Sequence, residues 1–343
     1  MASATHQLTH GDLADALALT NQGIELTRAQ PASVQFWQLR LLRGEILLLQ
    51  RKPDDVVPLL KESLPDSPAF ARLRAKQKCL EGQLHVISGN LSQALETLDA
   101  AERLAQAAGD TNVVFSARGL RGQVLLRLER WAEGDSTLAR LVADAEQAGD
   151  GYHLAVALIN LGIGRRVRDR FDEALPYFER AAALTRVTTR IRAVALTNLG
   201  ICYTRLGDYD RAIAVQRQAV DAHEASAPVF FAQALGELGT TYYLKGDTSM
   251  AVSHLSRALH VAVDSTSNAN PGLWAAHLAL VHIELRDWDR AAEFSGRSRA
   301  LTRPEDAERL VYNTLLDADI AAGRGERGRA IQLYQKALAS AGT

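Results

Sequence analysis

One small residue recurs every 38–40 positions along this chain, and few folds can use such a pattern. The first column reads Gly44, Gly82, Gly122, Gly162, Gly200 and Gly239, then Ala279 and Ala318. Twelve residues on, a second column reads Val56, Ala94, Gly134, Ala174, Ala212, Ala251, Ala291 and Ala330, with Ala16 one period earlier. A third contains Ala101, Ala181, Ala219, Ala258 and Ala337. Larger residues stand between the last two columns: Leu60, Leu98, Leu138, Phe178, Leu255 and Tyr334. A period of this length marks an array of supersecondary units, each unable to bury its apolar face alone. Two antiparallel helices approach closely only where side chains are small, and the larger residues fill the space left between neighbours.

The segments themselves read as helices. ALINLGIGRRVRDRFDEALPYFERAA (157–182), ALTNLGICYTRLGDYDRAIAVQRQAV (195–220) and ALGELGTTYYLKGDTSMAVSHLSRAL (234–259) share one template. A helix carries L-G, a short turn follows, and a second helix brings a small residue to its first inward turn. Gly207-Asp208 and Gly246-Asp247 suit that turn, with a left-handed glycine ending one helix and an Asp capping the next. Gly109-Asp110 and Gly149-Asp150 repeat the device between units. We expect an all-α, right-handed superhelical α-solenoid of about eight helix pairs, forming a single domain over 1–343. Its repeats fall near 31–64, 69–107, 111–148, 151–186, 190–225, 228–263, 271–301 and 305–340, after an N-terminal helix at 12–29. DSTSNANPG (264–272) is the longest turn.

The L-G-x-x-Y pattern with later small residues, as in Leu199, Gly200, Tyr203, Ala212 and Ala219, resembles the tetratricopeptide repeat. Leu238, Gly239, Tyr242, Ala251 and Ala258 match as well. The likeness runs from about residue 12 to 339, with a period of 38–40 in place of the usual 34, as in the longer-helix subclass of peptide-sensing and scaffold proteins. PASVQFWQLRLLRGEILLLQRKPDDVVPLL (31–60) resembles the first repeats of bacterial proteins that join such a solenoid to a C-terminal CHAT domain, a caspase-like cysteine protease. That resemblance implies the sensor part of a larger protein, with the protease or another effector domain elsewhere. The chain opens on the second helix of a pair and closes on another without a polar cap, which fits a fragment and leaves Ile331, Leu333 and Leu338 at risk of exposure.

Several functions are disfavoured. GRGERG (323–328) matches G-x-G-x-x-G, but a dinucleotide site needs a strand before it. DADIAA precedes it and reads as helix, so Gly325 is assigned to a helix–helix turn. The net charge is −1, from 39 basic and 40 acidic residues, which offers nothing to attract nucleic acid or an anionic membrane. GRRVRDR (164–170) holds four arginines, and a solvated helix end explains it, with an acidic partner as the second reading. Cys79 and Cys202 form no CxxC and fall at helix-packing slots. The nine histidines make no HExxH, no P-loop or GxSxG is present, and no cofactor or metal is expected. The N-terminus carries no basic and apolar leader and no run of 18 apolar residues exists, so a cytoplasmic location is expected.

Function is therefore expected on the concave surface lined by the first helix of each pair. Inward positions there include Asn160, Arg166, Thr197, Asn198, Arg205, Gln233, Glu237, Thr240 and Tyr243. Asn160 and Asn198 hold the same slot in adjacent repeats, and an amide can grip a peptide backbone through donor and acceptor together. Arginines beside them can take carboxylates bidentately. The expected function is a non-catalytic module that binds a peptide or protein segment and regulates a CHAT-type protease. The alternative is the ligand-sensing arm of a transcription regulator.

Overall fold

The computed structural model describes residues 13–50, 52–185, 187–224, 228–264, 269–304 and 306–341. The described residues are helices joined by short turns. They run α1 (Leu13–Thr27), α2 (Val34–Leu49), α3 (Val57–Lys61), α4 (Ala71–Ile87), α5 (Leu91–Ala107), α6 (Thr111–Arg127), α7 (Trp131–Ala148), α8 (Gly151–Arg166) and α9 (Phe171–Ala183). Then come α10 (Thr189–Arg205), α11 (Tyr209–His223), α12 (Pro228–Lys245), α13 (Thr248–Asp264), α14 (Pro271–Glu284), α15 (Trp288–Leu301), α16 (Ala307–Gly323) and α17 (Arg327–Ala341). Compactness divides the chain into Met1–Cys202 and Tyr203–Thr343, a boundary that falls inside α10.

The small-residue columns are where helices touch. In the first unit, a Cβ on Gly82 of α4 would lie 2.6 Å from the Leu98 side chain of α5. Gly122 of α6 meets Leu138 of α7 at 2.5 Å, and Gly162 of α8 meets Phe178 of α9 at 2.7 Å. In the second unit Gly239 of α12 meets Leu255 of α13 at 2.8 Å. Leu98, Leu138, Phe178 and Leu255 are all 0% exposed, so each of these four repeats buries one large side chain against one missing side chain. Glycine also sets the approach of neighbouring repeats. Gly164 of α8 faces Leu126 of α6 at 2.9 Å, and Gly236 of α12 faces the Trp274 ring of α14 at 2.4 Å.

The turns share a left-handed residue seven places after the first column. Gly89, Gly207, Gly246 and Gly325 occupy it with φ between 80 and 91°. Gly325 is thus a helix–helix turn between α16 and α17, as expected. Glu129, Asp169 and Arg286 hold the same slot at φ 58, 56 and 56° without glycine's freedom. Asp110, Asp150, Asp208 and Asp287 then cap α6, α8, α11 and α15 by accepting from a backbone N–H three residues on.

Some expectations shift. The second helix of the repeat expected at 31–64 is only the five residues of α3, because Pro58 suits only its first turn and Pro65 prevents extension. Gly44, whose pair is incomplete, accordingly meets nothing closer than Leu80 at 3.7 Å. The N-terminal helix ends at Thr27 rather than at 29. The all-round apolarity of α2 is used in packing: Leu41, Leu47 and Leu48 join Val56, Leu59, Leu60 and Leu80, with Leu17 of α1 against them. Residues 265–268 of the expected long turn, and residue 12, lie outside the described residues.

One buried charge cluster crosses three helices. Arg118 of α6, 5% exposed, donates from Nε and Nη2 to Glu102 of α5 at 3.1 and 2.9 Å and also pairs with Asp144 of α7.

Candidate functional site

The first unit has an inner face built by the first helices of its pairs. Lys76 of α4 donates to Glu45 of α2 at 2.7 Å, both half-buried. Burial opposes the Lys76 charge, but Glu45 outweighs it and the ammonium pKa is raised. Tyr152 opens α8 and exposes 42% of its surface. Its phenol pKa is raised by burial and feels the charges of Arg190, Glu45, Lys76 and Asp150. Tyr152 lies three pairs along the row from Glu45. The charges of α2, α4 and α10 nonetheless act on the phenol at the start of α8. Cys79 is 5% exposed, with burial holding its thiol up at about 12, so it is a packing residue rather than a nucleophile.

Asp150, His153 and Ser116 form a relay between α6 and α8. His153 Nδ1 donates to Asp150 Oδ2 at 2.7 Å, which leaves Nε2 to accept from the Ser116 hydroxyl at 3.0 Å. The connectivity is that of an activated serine. Ser116, however, sits mid-way along α6, where the adjacent backbone N–H groups are committed to the helix ladder. No pair of backbone donors is left to hold an oxyanion. With His153 only 3% exposed and packed edge-on against Phe115 and Tyr152, the relay braces α6 to α8.

The nominated residues of this unit behave differently from one another. Asn160 is half-buried, and its amide has no hydrogen-bond partner among the described residues. Arg166 buries Nε without a partner and lies close enough to act on the Cys202 thiol. Thr197 and Asn198 are 5% and 8% exposed, and donate to the Ala193 and Val194 carbonyls of their own helix at 2.9 Å each. The neighbouring arginines of the basic run are taken up locally. Arg165 binds Asp135 at 2.6 Å, Arg168 reaches the same carboxylate at 3.4 Å and stacks over Trp131, and Arg170 pairs with Glu173.

The inner face of the second unit gathers around His277 of α14. Thr240 of α12 donates its hydroxyl to Gly236 O at 2.9 Å, so it accepts from His277 Nδ1, 2.8 Å away. The imidazole is held neutral. Its pKa falls to about 4 through burial, then through the charges of Arg309 and Arg205. Arg309 opens α16 and lies over the Tyr312 ring at 5.9 Å. Its Nε is buried without a partner. Tyr312 packs against the cluster of Ala276, Ala279 and Leu316. Burial raises the Tyr243 phenol, as do Glu284 and Tyr312. Thus the nominated Thr240 contacts His277 directly, and Arg205 and Tyr243 act electrostatically with the same group of residues, whereas His277, Arg309 and Tyr312 were not singled out. His277 occupies the slot of Asn160 and Asn198 three and two repeats earlier, which is the signal that could have found it. Gln233 is exposed and Glu237 half-buried on α12. Among the described residues no helix is long and apolar enough to cross a membrane, and no group of three acid, His or Cys side chains could hold a metal.

Comparison with known proteins agrees with this architecture. Residues 113–186 and 158–225 match the model of the tetratricopeptide repeat. No curated protein sequence matches the chain. Among solved structures, a Rap protein complexed with competence and sporulation factor superposes with a TM-score of 0.65 at 15% identity, covering 98% of this chain and 95% of that one. The apo form of the quorum sensor NprR from B. thuringiensis gives 0.63 at 13% identity, covering 98% and 96%. A signal-transduction ATPase with numerous domains and a tetratricopeptide repeat sensor, from Pyrococcus horikoshii, gives 0.64 at 14% identity, covering 94% of this chain and 52% of that one. The chain is an all-α solenoid of tetratricopeptide-like helix pairs, with the repeat itself matched over 113–225.

Proposed function

We propose that this chain is a non-catalytic binding module that holds a peptide or protein segment against the inner faces of its helix pairs. The observation that supports the reading is that Lys76 of α4 reaches across to Glu45 of α2 at 2.7 Å, and that these two charges and that of Arg190 of α10 act on Tyr152 at the start of α8. Polar groups there retain unused capacity, Asn160 and Arg166 among them. A groove with a few well-placed polar groups and aromatic walls suits an extended chain. The likeness to a quorum sensor and to a sensor-bearing ATPase supports a regulatory role. The finer reading is a cytoplasmic bacterial sensor that controls a CHAT-type protease, as the N-terminal resemblance implies; a transcription-regulator arm is the alternative. Coding sequence on either side decides between a caspase-like module and a helix-turn-helix.

Affinity capture with the full chain tests the binding face. Wild type is run beside Tyr152→Ala/Asn160→Ala and beside Arg140→Ala on the exposed side of α7. Loss of a partner only in the inner-face variant is expected. Equal capture by all three would place binding elsewhere.

A further inference from the structure

Within the second unit, the side of each second helix turned toward the next repeat is buried. Ile213 and Val220 of α11 share one core with Phe231 and Leu235 of α12, and Leu259 of α13 joins it beside Trp274 and Leu278 of α14. The same slots on α17 hold Ile331 and Leu338. Ile331 is 56% exposed against 8% at Ile213, and Leu338 is 78% exposed against 2% at Leu259. Tyr334 lies between them on the same face of α17, also exposed. On α16, Leu315 takes the slot of Gly236 and Ala276. Trp274 covers Gly236, and Ala276 packs with Leu316, whereas Leu315 is exposed. Single exposed leucines are ordinary, but these occupy positions that the fold buries elsewhere, as an interface would.

One further slot says what covers them. Trp131, Phe171, Tyr209 and Trp288 open their second helices. Trp288 rests on the next repeat, where a Cβ on Gly323 of α16 would lie 2.3 Å from its ring. In α17 that slot is Arg327, exposed and without an ion pair among the described residues. A further repeat stacked in the regular way would meet a charge where those repeats offer an aromatic ring. Glu308, near the start of α16, is likewise exposed and unpaired among the described residues. Because α16 and α17 run antiparallel, Glu308 and Arg327 stand at opposite ends of the face. A two-fold axis across its middle exchanges the ends and sets each Glu308 beside an Arg327 of the other chain.

We propose that the α16–α17 face is a self-association surface through which two copies of this chain pair about a two-fold axis. Leu315, Ile331, Tyr334 and Leu338 form its apolar centre, and a Glu308–Arg327 pair closes each end. The pairing does not depend on what the inner face binds.

Light scattering and sedimentation equilibrium on the full chain, from about 1 to 200 μM, read the association directly. Twice the chain mass is expected at the upper end. Leu338→Glu, with an unchanged thermal midpoint because the site is exposed, is expected to raise the dissociation constant at least about a hundredfold, since the change enters a two-fold interface twice. Arg327→Glu and Glu308→Arg are each expected to weaken pairing by about tenfold through like-charge contacts. An equimolar mixture of those two variants is expected to recover the wild-type constant, as is the single chain carrying both changes. A wild-type chain that keeps the single mass throughout would overturn the proposal. So would a dimer indifferent to Leu338→Glu, which would lie elsewhere on the chain. Charge variants that weaken pairing without rescue in the mixture would overturn the two-fold arrangement.

Discussion

At Gly162 a methyl group would come within 2.7 Å of the Phe178 ring, whereas at Gly44 the nearest atom would be 3.7 Å away. The two glycines share a column and differ in what faces them. Gly162→Ala is expected to destabilise by about 1–3 kcal/mol through overpacking. Gly44→Ala is expected to be neutral or to stabilise by up to about 1 kcal/mol, since alanine favours helix. Urea unfolding of both variants checks the contrast, and equal effects would contradict it. The left-handed turn slot makes a second residue-level prediction. Glu129→Gly, at φ 58°, should stabilise by roughly 0.5–1 kcal/mol by relieving the backbone, read from the same unfolding curves. His277 makes a third. Its folded pKa, about 4, lies below the ordinary value of 6.5, so between those values the unfolded chain binds the extra proton. Its contribution is whole above pH 6.5 and is lost as pH falls toward 4. Comparing wild type with His277→Gln across that window should show a shallower acid slope in the variant; identical slopes would contradict the assignment.

Among the elements, α5, α6 and α7 are tied by Arg118, Glu102 and Asp144. Arg118→Met should cost about 3 kcal/mol, because Glu102 is left buried beside an apolar chain, with only the longer contacts of Gln106 and Arg121, 3.4 Å each. Adding Glu102→Leu should recover much of that loss, and a double variant no better than the single one would show that the cluster is not the cause. Helix pairing was legible in the sequence because Gly82 and Leu98, Gly122 and Leu138, Gly162 and Phe178, and Gly239 and Leu255 are each sixteen residues apart, and in these four repeats the packing follows the spacing. The length of α3 was less so: a pattern of Val56 and Leu60 promises a helix, but Pro58 and Pro65 confine it to little more than a turn. The inner-face positions were read only in part. Thr197 and Asn198 sit at the right register yet bond to their own helix, a competition that sequence spacing does not reveal. Tyr152 and Arg190 were missed because their slot lies ten residues before the glycine, beyond the ordinary L-G-x-x-Y window. Arg309 was missed because what distinguishes it, a buried Nε without a hydrogen-bond partner among the described residues, exists only in three dimensions.

On the scale of the whole molecule, the account holds that repeated glycine and alanine columns nest the helices and thereby leave the first helix of each pair as the ligand-facing surface. That assignment covers both units independently, and the second offers the cleaner test, since α12 and α13 form one complete repeat. A photo-crosslinking amino acid placed singly at each exposed or half-exposed position of 228–264, in the full chain within its own cells, reads the contact face directly. The account predicts partner adducts at Gln233, Thr240 and Tyr243 of α12 and none along the outward positions of α13. Adducts confined to α13, at Ser253, Ser256 or Arg257, would contradict it.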